Sequence, residues 1–397
     1  MHHTNSNSVS NTTRMTLLGA TGSIGCSTVD VMLRHPDKFS AFALVGHRNS
    51  EKMLELAHLL QPQWVVMTDA DAAQELTGQL PAGVQLESGM DAAITLASSP
   101  ETDMVMAAMV GSAGLPATLA AVKAGKRVGL ANKECLVTAG HIFMAAAQAS
   151  GADVVPVDSE HAAIHQCLIG HDHASIAQVI LTASGGPFRD RDPATLHSVT
   201  PAEAIAHPNW DMGAKISVDS ATMMNKALEL IEARWLFDIK PDKLSAIIHP
   251  ESIVHGMIEY ADGSVLAQLA MPDMRMPIAY AMQAQPRLAS GIAWLDLAKT
   301  GQLSFQAIDL ERFPAMRLVQ DVLAGHDTLA IAFNAANEIA NAAFRDHKIG
   351  FMDIVNTVEQ VLERVENIPV ATLDEVWSHD GHARALSVEI LGAKHHD

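Results

Sequence analysis

Cysteine is scarce in this chain. Its 397 residues include three, Cys26, Cys135 and Cys167, which lie far apart and form no Cys-x-x-Cys pair. That spacing argues against a disulfide framework or a thiolate metal site and points to a reducing compartment. Positive charge is also short, with 26 Lys and Arg against 45 Asp and Glu, a net of −19. A surface of that sign repels phosphate backbones, so nucleic acid is not an expected partner. A small phosphorylated ligand would need a local pocket of basic side chains or backbone N–H groups. No stretch approaches the roughly 18 consecutive apolar residues of a membrane span, so no membrane partner is expected. The first 14 residues, rich in Asn, Ser and Thr, lack the apolar segment of a secretion signal. Residues 1–14 read as a disordered leader, and the cytoplasm is the expected location.

What is present is 48% hydrophobic residues, enough for two or three cores. Over residues 15–157, short apolar runs at 15–18, 41–45, 64–67, 104–109, 128–131 and 153–157 alternate with segments of helical spacing such as 27–33 and 115–124. Regular β–α alternation predicts a parallel, doubly wound, Rossmann-like sheet, with ligands at the carboxyl ends of its strands. Residues 158–285 change character. Strand-like runs at 178–182, 246–249, 253–260 and 264–269, with Ala261-Asp262-Gly263 as a hairpin turn, predict an α+β domain whose sheet is mostly antiparallel. Residues 219–237 read as one helix in it. Residues 286–312, with weak periodicity, read as a linker. Residues 313–397 repeat apolar positions at helical spacing and predict a C-terminal helical bundle. The expected class is therefore α/β, with three parts.

Gly19-Ala20-Thr21-Gly22-Ser23-Ile24-Gly25 follows the first strand and opens a helix. Glycines there allow a tight turn and a close approach of backbone to a pyrophosphate at a helix N-terminus. An ordinary βα turn would show the same glycines. The strand before and the helix after favour dinucleotide binding. At the end of the second strand, Gly46-His47-Arg48-Asn49 offers no acid for a ribose 2′-hydroxyl. Arg48 can grip a 2′-phosphate instead, which favours NADP(H) over NAD(H).

Val157-Asp158-Ser159-Glu160 runs off a buried strand at its carboxyl end. Extended chain puts Asp158 and Glu160 on one face, where two carboxylates suit a hard divalent cation. The same residues would serve equally as a helix cap and first turn. If 219–237 is one helix, Thr222, Asn225, Lys226 and Glu229 share a face, pointing either into a site or to solvent. Ser220 would then stand near the helix N-terminus, which favours phosphate. The Ser184-Gly185-Gly186 turn could also donate hydroxyl and N–H groups to phosphate. Residues 203–214, including His207, Trp210, Met212 and Gly213, have the composition of a mobile lid, although Trp210 could simply anchor a structural loop.

Three motifs are specific in combination. They are Ala131-Asn132-Lys133-Glu134, Pro156-Val157-Asp158-Ser159-Glu160-His161, and the run Lys215 to Lys226 with its Ser217-Val218-Asp219-Ser220 core. With the glycine turn they resemble the 1-deoxy-D-xylulose 5-phosphate reductoisomerase family of the non-mevalonate isoprenoid pathway. Similar stretches span almost the whole chain after the leader. The resemblance implies that NADPH and one divalent cation (Mg²⁺, Mn²⁺ or Co²⁺) convert 1-deoxy-D-xylulose 5-phosphate, a small phosphorylated sugar, to 2-C-methyl-D-erythritol 4-phosphate. It implies Asp158, Glu160 and Glu229 as metal ligands. Catalytic roles fall to these three with Lys133 and His207. It implies Lys133, Ser159, Glu160, Ser184, His207, Trp210, Ser220, Asn225, Lys226 and Glu229 at the substrate, and Thr21, Gly22, Ser23, Ile24, Arg48, Asn49, Asn132, Glu134 and Gly213 at NADPH. It also implies a homodimer built on the central domain. The chain departs from the family pattern at Cys135, Ala183 and Gly46-His47. Two rivals stay open: a metal-free NADP-dependent dehydrogenase with a nucleophilic Cys or a Lys base, and a non-catalytic NADP-binding sensor. His161 and His255 lie in motif segments and read either as structural or as supports behind the site residues.

Overall fold

The computed structural model describes residues 12–206, 210 and 212–393. Most of the predicted leader (residues 1–11) and His207 therefore lie outside the described residues. The N-terminal part is a run of β–α units: β1 (Thr13–Leu18), α1 (Ser23–Arg34), β2 (Phe39–Gly46), α2 (Ser50–Leu60), β3 (Trp64–Met67), α3 (Ala70–Leu76), β4 (Gln85–Ser88), α4 (Met90–Ala97), β5 (Met104–Ala107), α5 (Leu115–Lys123), β6 (Arg127–Leu130), α6 (Glu134–Ser150) and β7 (Asp153–Pro156). The seven strands are parallel and lie in the order β4-β3-β2-β1-β5-β6-β7. Met104, Val105, Met106 and Ala107 are fully buried, as a strand covered by helices on both faces requires. The order reverses between β1 and β5, which opens a crevice at their carboxyl ends.

Two details depart from the sequence reading. β1 starts at Thr13, inside the expected leader, because the Arg14 backbone N–H and guanidinium both donate to Asp103. β4 carries no apolar run. Its sequence, Gln-Leu-Glu-Ser, lies largely exposed at the sheet edge and gives no hydrophobic signal.

The second part holds α7 (Ser159–Leu168), β8 (Ile176–Ala183), α8 (Pro201–Ile205), α9 (Ala214–Ala221), α10 (Met224–Leu236), β9 (Leu244–Ile248), β10 (Val254–Tyr260), β11 (Val265–Leu269) and α11 (Arg275–Met282). Its four strands run β11-β10-β8-β9, antiparallel except for β8 and β9. The helix expected over 219–237 is two helices. Met223 adopts φ +61 and breaks the chain between α9 and α10. Ile278 to Met282 of α11 pack into the core of the first sheet, against Met15, Leu17 and Val29.

The rest of the chain is α12 (Leu297–Thr300), α13 (Ala315–Ala324), α14 (Asp327–Arg345), α15 (Phe351–Leu362) and α16 (Leu373–Ala393). Within the expected linker, Gln306 and Ile248 exchange two backbone hydrogen bonds of 2.9 Å, and Phe305 stacks on His249. That stretch is thus pinned along β9. One hydrophobic core joins α10, β8 and β9 to α13, α14 and α15. Among the described residues no helix is long and apolar enough to cross a membrane.

Candidate active site

The carboxyl ends of β1, β6 and β7, the β8 turn, α9 and α10 line a cleft that opens to solvent. The glycine turn forms one wall. Gly22 caps α1 without a side-chain hydrogen bond, and the first turn of α1 carries no acid, so its N–H groups are available to an anion. A Cβ at Gly25 would stand 2.4 Å from the Ala20 carbonyl oxygen, so only glycine lets α1 sit this close to the turn. Ser23 and Ile24 line the cleft, with Thr21 and Gly22 in the turn beside them.

At the tip of β2 the Arg48 guanidinium is largely exposed and pairs with Asp69 at 2.9 Å. The sequence reading found no acid at this tip. Asp69 arrives from the end of β3, an approach that only strand order creates. The hydrogen bond from Arg48 holds the Asp69 carboxyl below its ordinary range. Asn49 caps α2 by accepting the Lys52 N–H.

Seven residues expected at the substrate and metal meet on the other wall. Asp158 caps α7 without any side-chain cap bond, so the alternative reading as a helix cap fails for it. Lys133 Nζ stands 2.5 Å from Asp158 Oδ2, 2.8 Å from Asn225 Oδ1 and 3.0 Å from Glu229 Oε1. Lys226 Nζ lies 2.7 Å from Glu160 Oε1 and pairs with Glu229 Oε2, its neighbour one turn along α10. Ser159 donates its hydroxyl to Glu160. Glu229 is fully buried.

Burial governs the titration here, and neighbouring charges decide its sign. Burial raises Asp158 to about 6; the Lys133 ammonium opposes this, and Glu229 and Glu160 add to it. Burial also works to raise Glu160, but the Lys226 ammonium outweighs it and holds the carboxyl at about 2. Lys133 stays protonated well above the ordinary lysine range, since Asp158, Glu229 and Glu232 overcome its desolvation.

The group has a shortage of positive charge. Three carboxylates face two ammoniums, and the buried Glu232 behind them, pushed well above its ordinary range by burial and then by Asp158, has no hydrogen bond at either oxygen. Oxygens of Asp158, Glu160 and Glu229 all lie within 4.8 Å of one another, an all-oxygen set that fits a hard divalent cation. Asp158, His161 and Glu232 form a second such set. There, however, His161 Nε2 is 2.9 Å from the Glu229 carbonyl oxygen, which makes that nitrogen a donor and leaves only Nδ1 able to coordinate. Glu232 behind the cluster was not legible in the sequence.

The remaining expected contacts divide. Ser184, Gly185, Ser220, Asn225 and Lys226 line the cleft, as do Trp210, Met212 and Gly213. Ser220 sits in the last turn of α9, not near a helix N-terminus as expected, because of the Met223 break. Thr222 leaves the face it was assigned to, and its hydroxyl donates back to the Val218 carbonyl at 3.1 Å. Asn132 and Glu134 turn away. Asn132 donates to the Gly111 carbonyl and accepts the Cys135 N–H, and Glu134 pairs with Lys215 at 2.9 Å. His255, which the sequence reading left outside the core site residues, lines the cleft near Trp210.

A Rossmann-like sheet that shares a lysine–carboxylate cleft with a second domain defines the class of a dinucleotide-dependent oxidoreductase with a cation site. Comparison narrows it. Three family profiles match: 1-deoxy-D-xylulose 5-phosphate reductoisomerase over residues 15–140, its C-terminal domain over 154–237, and the DXP reductoisomerase C-terminal domain over 269–386. The 1-deoxy-D-xylulose 5-phosphate reductoisomerase of Paraburkholderia xenovorans is 51% identical over 383 residues, covering 95% of this chain and 96% of that one. The enzyme of Cupriavidus metallidurans is 52% identical over 386 residues, with coverages of 96% and 98%. The solved reductoisomerase of Zymomonas mobilis in complex with NADPH aligns with TM-score 0.89 at 42% identity, covering 96% of this chain and 99% of that one. A DOX-P reductoisomerase in complex with NADPH, fosmidomycin and magnesium aligns with TM-score 0.89 at 41% identity, with coverages of 96% and 98%. The chain belongs to the 1-deoxy-D-xylulose 5-phosphate reductoisomerase family, whose reaction is the NADPH-dependent conversion of 1-deoxy-D-xylulose 5-phosphate to 2-C-methyl-D-erythritol 4-phosphate.

Proposed function

We propose that the family's reaction takes place in this cleft, with NADPH along the glycine turn and one divalent cation, such as the magnesium bound in a solved relative, held by Asp158, Glu160 and Glu229. The observation that carries the reading is the buried cluster of Lys133, Asp158, Glu160, Lys226 and Glu229, which is one positive charge short of balance. When bound, NADPH supplies the hydride and the cation acts as a Lewis acid on the substrate oxygens. Lys133, kept protonated by its carboxylate neighbours, donates to developing negative charge on a substrate oxygen. Ser184, Ser220, Asn225 and Lys226 hold the phosphate. That remote grip uses binding energy to orient the reacting end. Trp210 and Met212 cover the substrate and exclude water. Arg48 leaves Asp69 for the 2′-phosphate of NADPH. Asn49 and Asn132 act on the cofactor side through the backbone they fix, and Glu134 through its ion pair with Lys215.

We infer that the chain assembles as a homodimer along the edge strand β11. Val265 and Leu266 are exposed there, 51% and 37%, and the strand's outer edge is unpaired in the sheet. The location is the cytoplasm, which is supported by three unpaired cysteines. The rival dehydrogenase with a cysteine nucleophile finds no support, since Cys135 is fully buried and its thiol is held far above the reactive range.

The test is NADPH oxidation with 1-deoxy-D-xylulose 5-phosphate, in Mg²⁺ and again in excess EDTA. Oxidation that EDTA abolishes and Mg²⁺ restores is expected. Oxidation indifferent to EDTA would sink the cation site and favour the plain dehydrogenase. NADPH binding without turnover would favour the sensor.

A further inference from the structure

α9 has two working faces. Ile216 and Ser220, with the cap residue Gly213, line the cleft. Lys215 and Asp219, one turn apart, face the other way and are enclosed. Lys215 Nζ lies 2.9 Å from Asp219 Oδ2 and 2.9 Å from Glu134 Oε1. Asp219 Oδ1 accepts the amides of Asn337 at 2.9 Å and Asn341 at 2.8 Å, and Asn341 also donates to the Lys215 carbonyl at 2.9 Å. Asn337 and Asn341 come from α14 in the C-terminal bundle. Both are fully buried, and neither reaches the cleft.

Apolar side chains on this face of α14 would pack α9 at least as tightly, since buried polar pairs add little net stability. What amides and a carboxylate add is direction. An apolar contact lets a helix slide or roll by an ångström, whereas four hydrogen bonds converging on Lys215 and Asp219 fix one rotation and one height. α9 needs that precision, because it starts where the lid ends and carries Ser220 in its last turn. The tie also continues to Glu134, the neighbour of Lys133.

We propose that Asn337 and Asn341 are positioning residues for the substrate: through Asp219 and Lys215, the C-terminal bundle sets the wall of the cleft that carries Gly213, Ile216 and Ser220. The inference rests on the reading of the cleft as the substrate site.

The test is the double variant Asn337→Ala/Asn341→Ala, with Lys215→Met as a second variant that leaves α14 intact. The KM for 1-deoxy-D-xylulose 5-phosphate is expected to rise by roughly 10-fold or more. The NADPH dissociation constant, read from cofactor fluorescence, is expected to rise by no more than about threefold, well short of the change in substrate KM, since the glycine turn and Arg48 are untouched and only Glu134 and Gly213 lie on the cofactor side. A lowered melting temperature with unchanged substrate KM would overturn the proposal, because it marks a merely structural contact. Equal weakening of substrate and NADPH would overturn it as well. If the double variant does not fold, Lys215→Met is read against the same criteria. Failure of the wild-type chain to turn over would instead sink the reading of the site, and this inference with it.

Discussion

At the scale of single residues, the site is set up for a ligand more than for its own stability. Asp158 shows this. Its carboxyl is raised from the ordinary 3.8 to about 6, chiefly by burial. The folded chain therefore holds a proton that the unfolded chain has already released between these values, so this contribution to stability is full below about pH 4 and is lost as pH rises through 6. Above that, an ionised Asp158 costs stability unless a cation is bound. Asp158→Asn is thus expected to melt higher than the wild type near pH 8 in EDTA. The gap should close as pH falls toward 4, and Mg²⁺ should raise the melting temperature of the wild type alone. An Asn variant that melts lower at about pH 8 in EDTA would refute this account of the cluster. The cysteines give a second residue-scale expectation. Burial raises Cys167 to about 11 and Cys135 beyond that, while Cys26 is partly exposed. In mildly alkaline buffer, iodoacetamide should label Cys26 in the native protein and should reach Cys135 and Cys167 only in denaturant, as read by peptide mass.

At the scale of elements, the break at Met223 shapes the end of the cleft proposed to take the phosphate. It turns α10 so that Asn225 and Lys226 fall in its first turn, while Ser220 closes α9 beside the Ser184 turn. Gly186 is the contact between the two. It sits at φ +65, and a Cβ there would lie 2.8 Å from the Ser220 carbonyl oxygen. Gly186→Ala should push α9 off the turn and lower kcat/KM on the order of 100-fold. A steady-state assay checks this, with normal NADPH binding as the control. Away from the site, His347 ends α14 in the left-handed region at φ +60, exposed and with only its backbone engaged. His347→Gly should stabilise the protein by about 1 kcal/mol in urea unfolding without changing turnover.

At the scale of the whole molecule, the cleft exists because two sheets and a helical bundle meet there. The first sheet brings the glycine turn, Lys133 and Asp158. The second domain brings the Ser184 turn, α9 and α10, and the bundle holds α9 from behind. The same architecture leaves one long strand edge open at β11. Val265→Lys/Leu266→Lys is expected to shift the molecular mass in multi-angle light scattering from dimer to monomer. A wild type that already elutes as a monomer would remove the dimer from the account.

The sequence by itself determined the parts that depend on short-range order. Apolar runs buried on both faces announce the parallel strands, a glycine turn between strand and helix announces the dinucleotide wall, and Asp158, Ser159 and Glu160 announce a carboxylate edge. β4 escaped because an edge strand needs no apolar pattern, and the α9–α10 break escaped because Met223, a residue with no bias toward positive φ, adopts it under packing. Only the tertiary structure decided which charges face one another. Glu229 lies 96 residues from Lys133 in the chain and 3.0 Å from it in space, and Asp69 reaches Arg48 because β2 and β3 are neighbours. Glu232, Asn337 and Asn341 sit on helix faces that would read as solvated surface. Burial turns them into an unsatisfied carboxylate and a directional tie. Periodicity records whether a side chain points inward. It holds no record of which side chain comes from the opposite direction, and that pairing is what sets the charge and geometry of the cleft.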